Sequence, residues 1–338
     1  MRITIADVAK EAEVSIATVS RFMNGRDGEM SAATRDRLQV VVQRLGYVPN
    51  SAAKSLKTGR SDLIGVALAE IGHMYWSTML AGIEEGCQER GFGVVISSAS
   101  NNPDAQTDYV SMFLRQQVDG LLLNPASAAP RTVAQWASLR CPVIMLDRTF
   151  PELDYPLVAV DNVYGAELAV NHLLDLGHRS IAIVSWPIEN LSNRAERLDG
   201  YLGAMRGGGV CVEEQHIRFA RESWDDGVRQ TIALFRRKER PTAVFSANME
   251  LNLQVLAGLK QLGLRVPQDV SVVGFDAAPW DELLDPPLTT VATPTRKIGK
   301  TAAQLLCAAV ESGIRPNRGD RRLKPCLIVR ASTAAPAS

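Results

Sequence analysis

Apolar and polar positions follow two different periods along the chain. Within residues 1–48, apolar side chains recur every three or four positions, which predicts three short helices. From Ser61 onward, short apolar runs such as LIGVAL, GLLL and IAIVS alternate with amphipathic segments of helical period. Repeated β-α-β units with doubly buried strands predict parallel sheets that carry helices on both faces. We therefore expect a small helical head followed by an α/β body.

The three helices of the head are delimited by capping residues. Thr4, with Asp7 three residues later, forms a capping box, Ser15 caps IATVSRFMN, and Ser31 starts a helix that ends at Gly46. Two short helices joined by a tight turn form a helix-turn-helix, whose second helix can lie in the DNA major groove. Any small three-helix bundle has similar spacing, so this pattern alone leaves both interpretations open.

The body contains two successive series of strands and helices, one on each side of Asp161. The first includes GVVISSA and VIMLD, and the second includes AVFSA and VSVVGFD. Two such series predict two lobes, with a ligand cleft at the carboxyl ends of both sets of strands.

Composition narrows the class of protein. The 338 residues are 46% apolar and 22% charged, which is typical of a soluble globular chain. No run reaches the ~18 apolar residues of a membrane span, and acids occupy the place of a signal-peptide core. The five cysteines are scattered without a C-x-x-C pair, which favours reduced thiols. We expect a cytoplasmic, nucleoid-associated protein.

Charge is distributed unevenly although the totals balance. The whole chain has 37 Lys and Arg against 37 Asp and Glu, whereas residues 1–60 have ten basic and six acidic side chains. A basic head on an acidic body favours a polyanionic partner for the head.

Two strings at the N-terminus carry a family resemblance. TIADVAKEAEVSIATVSRFMNG and LGYVPNSAAKSLKTGRSDLIGV closely resemble the N-terminus of the LacI/GalR (lactose-repressor) family of bacterial transcription regulators. The patterns VSxxTVSR, LGYxPN and A-x-SL are specific to that family, and the similarity continues to the C-terminus. The resemblance implies a small all-α helix-turn-helix headpiece and an α/β two-lobed, periplasmic-binding-protein-like core whose chain crosses between lobes three times.

The resemblance also implies domain boundaries along the chain. They are a helix-turn-helix headpiece (1–48), a hinge helix and linker (49–60), a first lobe (61–160 with 292–324), a second lobe (161–291 with 325–331) and a tail (332–338).

DNA contacts are implied for the headpiece and the hinge. Ile16, Ala17 and Arg21 would read base edges, and arginine can bond bidentately to guanine. Ser15 and Thr18 would anchor phosphates, although helix packing is an alternative role for Thr18 and Ser20. The other expected contacts are Thr4, Ser20, Asn24, Tyr47, Lys54, Leu56 and Lys57. In the family, the leucine matching Leu56 enters the minor groove as an apolar wedge, and neighbouring lysines can meet phosphates.

One residue of the predicted turn departs from the family pattern. Glu13 stands where the family usually has Gly or Asn. If this position is left-handed, its Cβ costs about 1 kcal/mol.

Effector contacts are implied at the strand ends and helix starts that face the cleft. The expected residues are Tyr75, Trp76, Asn124, Asp147, Arg148, Arg197, Trp224, Asn248 and Asp276. For Tyr75, Trp76, Asn124 and Arg148, lobe packing or strand capping is an alternative role. The family's common ND and GFDD are here NM, at Asn248, and GFDA, at Asp276. Because two acids are missing beside two arginines, we expect the effector to be a sugar acid, such as a keto-gluconate, rather than a neutral sugar.

The function implied is an effector-responsive, sequence-specific transcriptional regulator that represses carbohydrate or sugar-acid catabolism genes. It would bind a pseudo-palindromic double-stranded DNA operator as a homodimer, because the tail ASTAAPAS has no heptad pattern for a tetramer. The alternative is a periplasmic-type sugar-binding protein without a DNA role. We find no catalytic constellation, and we expect no metal, cofactor or membrane partner.

Overall fold

The computed structural model describes residues 3–23, 25, 30–47, 59–127, 130–150, 152–189, 191–316 and 319–337. The chain forms two compact units, Met1–Ser61 and Asp62–Ser338. The first unit contains α1 (Ile5–Glu11), α2 (Ile16–Met23) and α3 (Ala32–Leu45). Their buried apolar side chains are Val8, Ala9, Ala12, Val19, Leu38 and Val41.

The predicted caps of these helices are confirmed. The Thr4 backbone N–H donates to Asp7 Oδ2 at 2.8 Å, and the Thr4 hydroxyl accepts from the Asp7 N–H in return. Ser15 and Ser31 accept from backbone N–H groups three residues later. Gly46 ends α3 in a left-handed conformation with φ 59°, which glycine adopts without steric cost. Each helix therefore begins after a residue whose side chain caps it, and α3 also ends at a glycine suited to its C-cap.

The second unit contains two six-stranded sheets, and the first sheet is parallel throughout. Its strands are β1 (Leu63–Leu68), β2 (Gly93–Ser98), β3 (Gly120–Leu123), β4 (Val143–Leu146), β5 (Leu157–Val160) and β11 (Arg321–Leu323). They lie in the order β11-β5-β4-β3-β1-β2. The helices of this lobe are α4 (Met74–Gln88), α5 (Pro103–Arg115), α6 (Pro130–Ala137) and α11 (Thr295–Ser312).

The second sheet is parallel except for its edge strand β12, which runs antiparallel to β10. Its strands are β6 (Ile181–Ser185), β7 (Ile217–Phe219), β8 (Ala243–Ser246), β9 (Ser271–Phe275), β10 (Thr289–Ala292) and β12 (Cys326–Ile328). They lie in the order β12-β10-β9-β8-β6-β7. The helices of this lobe are α7 (Asn162–Asp175), α8 (Ser192–Gly207), α9 (Trp224–Phe235) and α10 (Met249–Gln261). The two-sheet α/β fold class predicted from the sequence is thereby confirmed.

Each sheet lies between two apolar layers because its central strands are buried on both faces. Strands β3, β4, β5, β8 and β9 are fully buried along their length. In the first lobe, α4 and α11 approach so closely that Cβ atoms added at Gly82 or Gly299 would overlap backbone of the facing helix. This contact holds the returning helix α11 against the first lobe.

The chain passes between the two sheets three times, from β5 to α7, from β10 to α11 and from β11 to β12. Residues expected to form a tail pack on the second lobe instead. Ser332 is fully buried, donates to Val272 O at 2.6 Å and accepts from the Thr289 N–H at 2.8 Å. These bonds attach the segment that follows β12 to the second sheet.

Candidate functional site

Helix α2 presents a face of mixed apolar and polar residues to solvent and one buried residue to the core of the head. Ile16, Ala17 and Arg21 are exposed, while Val19 is buried. The hydroxyls of Ser15 and Thr18 lie 2.8 Å apart at the start of the helix. The residues expected to read base edges therefore share the accessible face of a helix that a major groove can admit.

The other predicted DNA contacts have different placements. Thr4 is exposed at the α1 cap, Ser20 is half-buried, and Tyr47 packs partly against the core of the head. Asn24, Lys54, Leu56 and Lys57 lie outside the described residues. Their roles stay predictions.

Glu13 occupies the turn between α1 and α2 with φ 52°. This is the left-handed region, where a residue with a Cβ costs about 1 kcal/mol.

Glu13→Gly should raise the free energy of unfolding of the head by up to about 1 kcal/mol, measured in the full chain by urea denaturation followed by circular dichroism at 222 nm. Because glycine also gains entropy in the unfolded chain, the net gain is below this figure. Glu11→Gly, inside α1, is the control and should destabilise; a destabilised Glu13→Gly variant would contradict strain at this turn.

A polar cleft lies between the two lobes of the body at the carboxyl ends of their strands. Seven of the nine predicted effector residues line it together. They are Tyr75, Trp76, Asp147, Arg148, Arg197, Asn248 and Asp276. Tyr75 and Trp76 belong to the first turn of α4.

The second lobe contributes a buried ion pair to the floor of the cleft. Arg197 Nη1 lies 3.0 Å from Asp276 Oδ2, and both side chains are 6% exposed. The guanidinium also donates to Asn162 Oδ1 at 2.9 Å and to Ala247 O at 2.6 Å, and it stacks 3.9 Å over the Phe275 ring. These bonds compensate the desolvation of both charges and fix the plane of the guanidinium.

Asp147 is the corresponding strand-end carboxylate of the first lobe. Tyr75 donates to its Oδ1 at 2.9 Å, and Asn193 of the second lobe donates to its Oδ2 at 2.8 Å. Burial raises the pKa of Asp147, although the cations of Arg148 and Arg197 oppose the shift. Asp147 and Asp276 both have left-handed backbones, with φ 64° and 62°, a strain that clusters at binding sites.

Two donors on side chains that line the cleft have no hydrogen-bond partner among the described residues. They are Arg148 Nε and Trp186 Nε1, on side chains that are each 8% exposed. Burial lowers the pKa of Arg148 to about 10, so its guanidinium stays charged at neutral pH. A buried donor without a partner is costly, which makes both groups candidates for ligand contacts.

Two predicted effector residues lie outside the cleft. Asn124 is fully buried and bonds to the Ala69 N–H, to Leu146 O and, at 3.4 Å, to Arg148 Nη2. It positions the ends of three strands, which was the alternative role considered for it. Trp224 is 53% exposed at the start of α9, beside Asp225 and Arg229 in a separate surface depression. Trp224 therefore does not line the cleft, contrary to the prediction.

Several cleft residues are not among those predicted from the sequence. They are Glu70, His73, Trp186, Asn193, Arg194, Glu222 and Glu250. Arg194 forms an ion pair with Glu222 and stacks 4.9 Å over the Trp186 ring. Trp186 directly follows the apolar strand β6, a signal that could have found it, whereas the other six come from loops and helices without a strand directly before them.

An ion pair between His73 and Glu250 joins the two lobes at the mouth of the cleft. The hydrogen bond to Glu250 raises the pKa of His73, with further contributions from Glu70 and Glu222, while burial opposes the shift. A raised folded-state pKa gives stability that is complete below about pH 6.5 and is lost as the pH rises through the folded value.

We expect His73→Gln to destabilise the body by about 0.5 kcal/mol at pH 6, because half-exposed pairs contribute little. At pH 8.5 the difference from the unmodified chain should shrink towards zero, as seen by differential scanning calorimetry. Glu250→Gln should give the same pH profile. A difference that stays constant between the two pH values would show that His73 is uncharged in the pair.

A helix-turn-helix unit joined to a two-lobed body with a buried, charged cleft defines a ligand-binding protein with a nucleic-acid-binding head. Comparison with known proteins agrees with that class. Residues 4–50 match the family of bacterial regulatory proteins, lacI family, and residues 170–333 match the periplasmic binding protein-like domain.

Individual relatives match over nearly the whole chain. The HTH-type transcriptional repressor CytR of Escherichia coli strain K12 is 33% identical over 333 residues, which covers 98% of this chain and 96% of that protein. A Lac repressor dimer bound to operator and the anti-inducer ONPF has a TM-score of 0.88 at 29% identity, covering 99% of this chain and 100% of that one. A CelR–cellobiose complex has a TM-score of 0.73 at 30% identity, covering 98% and 100%. The chain belongs to the lacI family of bacterial regulatory proteins, as the sequence motifs predicted.

Among the described residues, no helix has the length and apolar character needed to cross a bilayer.

Proposed function

We propose that the protein is a DNA-binding transcriptional repressor whose operator affinity is controlled by a small ligand in the interlobe cleft. The main support is that one chain carries both an exposed face on α2 and a cleft lined by two side chains whose buried donors have no partner in the described part of the chain. Relatives named as repressors are 33% and 29% identical to this chain, which covers 96% and 98% of their length. Such a protein needs no catalytic chemistry, because binding alone shifts its population of states.

The effector that fits the cleft best is a sugar acid. The cleft acids already have partners: Asp147 binds Tyr75 and Asn193, Asp276 binds Arg197, Glu222 binds Arg194, and Glu250 binds His73. Glu70 likewise accepts from the backbone N–H groups of Ile71 and Gly72.

Arg148 Nε and Trp186 Nε1, which have no partner among the described residues, are both hydrogen-bond donors. Acceptor atoms of the ligand would satisfy them. A carboxylate beside Arg148 with hydroxyls towards the second lobe satisfies this arrangement. A relative solved with cellobiose supports a carbohydrate frame for the ligand.

On DNA, we propose a homodimer whose two heads read the half-sites of a pseudo-palindromic operator. Arg21 reads a base edge in the major groove, and the hinge residue Leu56 enters the minor groove. The relative solved as a dimer on its operator supports this arrangement. Ligand in the cleft changes the relative orientation of the lobes and so the population of DNA-competent heads.

A thermal-shift panel tests the effector class. The full chain is heated with gluconate, a keto-gluconate, glucose, cellobiose or adenine, and any compound that binds the folded state raises the melting temperature. Sugar acids should give the largest rise. Arg148→Met should abolish the rise with acids, whereas Arg140→Met, an exposed arginine of the same lobe, should retain it. A rise confined to neutral sugars or adenine would overturn the sugar-acid assignment.

A further inference from the structure

The three crossings between the lobes each carry a polar residue that belongs to one hydrogen-bonded network. Asn162 begins α7 just after the first crossing, and Thr293 follows β10 at the second. Arg322 lies in β11, one residue before that strand ends at the third crossing. A relative rotation of the lobes has to change the backbone at these three places, so side-chain bonds there are sensitive to lobe orientation.

Arg197 connects the cleft to the first and second crossings. Its Nε donates to Asn162 Oδ1 at 2.9 Å, and its Nη1 lies 3.0 Å from Asp276 Oδ2. The other oxygen of Asp276, Oδ1, accepts from the Thr293 hydroxyl at 2.7 Å. A ligand that binds Arg197 and Asp276 therefore competes for the atoms that hold Asn162 and Thr293.

Glu196 extends the network to the third crossing. Its Oε2 accepts from Asn162 Nδ2 at 2.9 Å and lies 2.8 Å from Arg322 Nη1. Glu196 is on α8 of the second lobe, whereas Arg322 is in the first sheet, so this ion pair joins the lobes. Asn162 is fixed in one amide orientation, because a guanidinium can only donate and a carboxylate can only accept.

We infer that Glu196 is a positioning residue that couples ligand at Arg197 to the orientation of the lobes. It lies outside the lining of the cleft, and its side chain is 18% exposed. The inference rests on the proposed function, since it concerns how the cleft ligand alters operator binding. Through Asn162 and Arg322, Glu196 makes the first and third crossings respond together to a change at Arg197.

The Glu196→Ala variant tests whether ligand affinity can be kept while the effect of the ligand on operator affinity is lost. The dissociation constant of a keto-gluconate, measured by calorimetry on the full chain, should stay within about threefold of the unmodified value, because Arg197 keeps Asp276 and Ala247. Operator affinity is measured by fluorescence anisotropy with and without saturating keto-gluconate, on a duplex selected by the unmodified chain. The ratio of the two affinities should fall at least about fivefold, which is the lower end of typical allosteric coupling.

The chain offers a matched pair of controls on the same arginine. Arg322→Ala should reduce the ratio as Glu196→Ala does. Asp320→Asn removes the other bond of Arg322, at 3.2 Å and within one lobe, and should leave the ratio unchanged. A role in stability alone would lower the melting temperature of the Glu196 and Arg322 variants without changing the ratio.

An unchanged ratio in Glu196→Ala would overturn the inference, as would a dissociation constant for keto-gluconate that rises well beyond threefold. If the unmodified chain binds operator equally with and without every compound of the thermal-shift panel, the proposed function fails and the inference fails with it. A ligand response that persists in Glu196→Ala overturns the inference alone.

Discussion

Arg197→Ala should lower the free energy of unfolding of the body by about 3–5 kcal/mol, because it leaves the Asp276 carboxylate buried without its cation. It also removes the donors to Asn162 and Ala247. The cleft should then bind none of the ligands that stabilise the unmodified chain. Chemical denaturation measures the first effect, and calorimetric titration at a temperature where the variant is folded measures the second.

Two further variants show whether the buried charge is the cause. Arg206→Ala changes an exposed arginine in the last turn of the same helix and should cost less than about 0.5 kcal/mol. The double variant Arg197→Ala with Asp276→Ala should be more stable than the sum of the two single changes allows, because no uncompensated charge remains. Strict additivity would contradict a direct coupling between the two side chains.

Gly299→Ala should destabilise the first lobe by about 3 kcal/mol, the upper part of the usual range for overpacking. A Cβ at this position would lie closer than 3.0 Å to the Met79 carbonyl of the facing helix. Because the obstacle is backbone, α11 has to move away from α4. The measurement is the urea midpoint followed by tryptophan fluorescence.

A glycine-to-alanine change elsewhere in a helix should have the opposite sign. Gly203 lies in α8 with its nearest side-chain atom 3.8 Å from an added Cβ. Gly203→Ala should stabilise the chain by about 0.5–1 kcal/mol through helix propensity. If Gly299→Ala also stabilised the chain, close packing of α4 and α11 would be the wrong explanation for that glycine.

Most of the architecture could be predicted from the sequence because the buried strands are continuous apolar runs. IAIVS and AVFSA become β6 and β8 where their composition indicates. The short strand β5, LVAV, is also such a run. β11 lacks this signal, because it is the exposed, charged tripeptide RRL at a sheet edge. Its pairing with β5 depends on the long-range return of the chain, which local periodicity does not encode.

The candidate site could be predicted in part, for a similar reason. Asp147 and Asp276 follow buried strands directly, so the parallel-sheet rule places both at the cleft. His73, Trp186 and Glu250 meet only because the two lobes face each other, and no spacing within one lobe reports that. Trp224 follows the N-cap of α9, where it is mostly exposed to solvent. Asn124 shows that a polar strand end can serve the backbone rather than the ligand.

Control of DNA binding by the cleft is the central claim, and one titration tests it most directly. Operator affinity of the full chain is measured by fluorescence anisotropy, with and without the compound that gives the largest thermal shift. The account predicts that the ligand changes operator affinity by at least about fivefold. In Arg197→Ala, studied where it is folded, operator binding should persist without this response. Equal affinity with and without a ligand that demonstrably occupies the cleft of the unmodified chain would contradict the account.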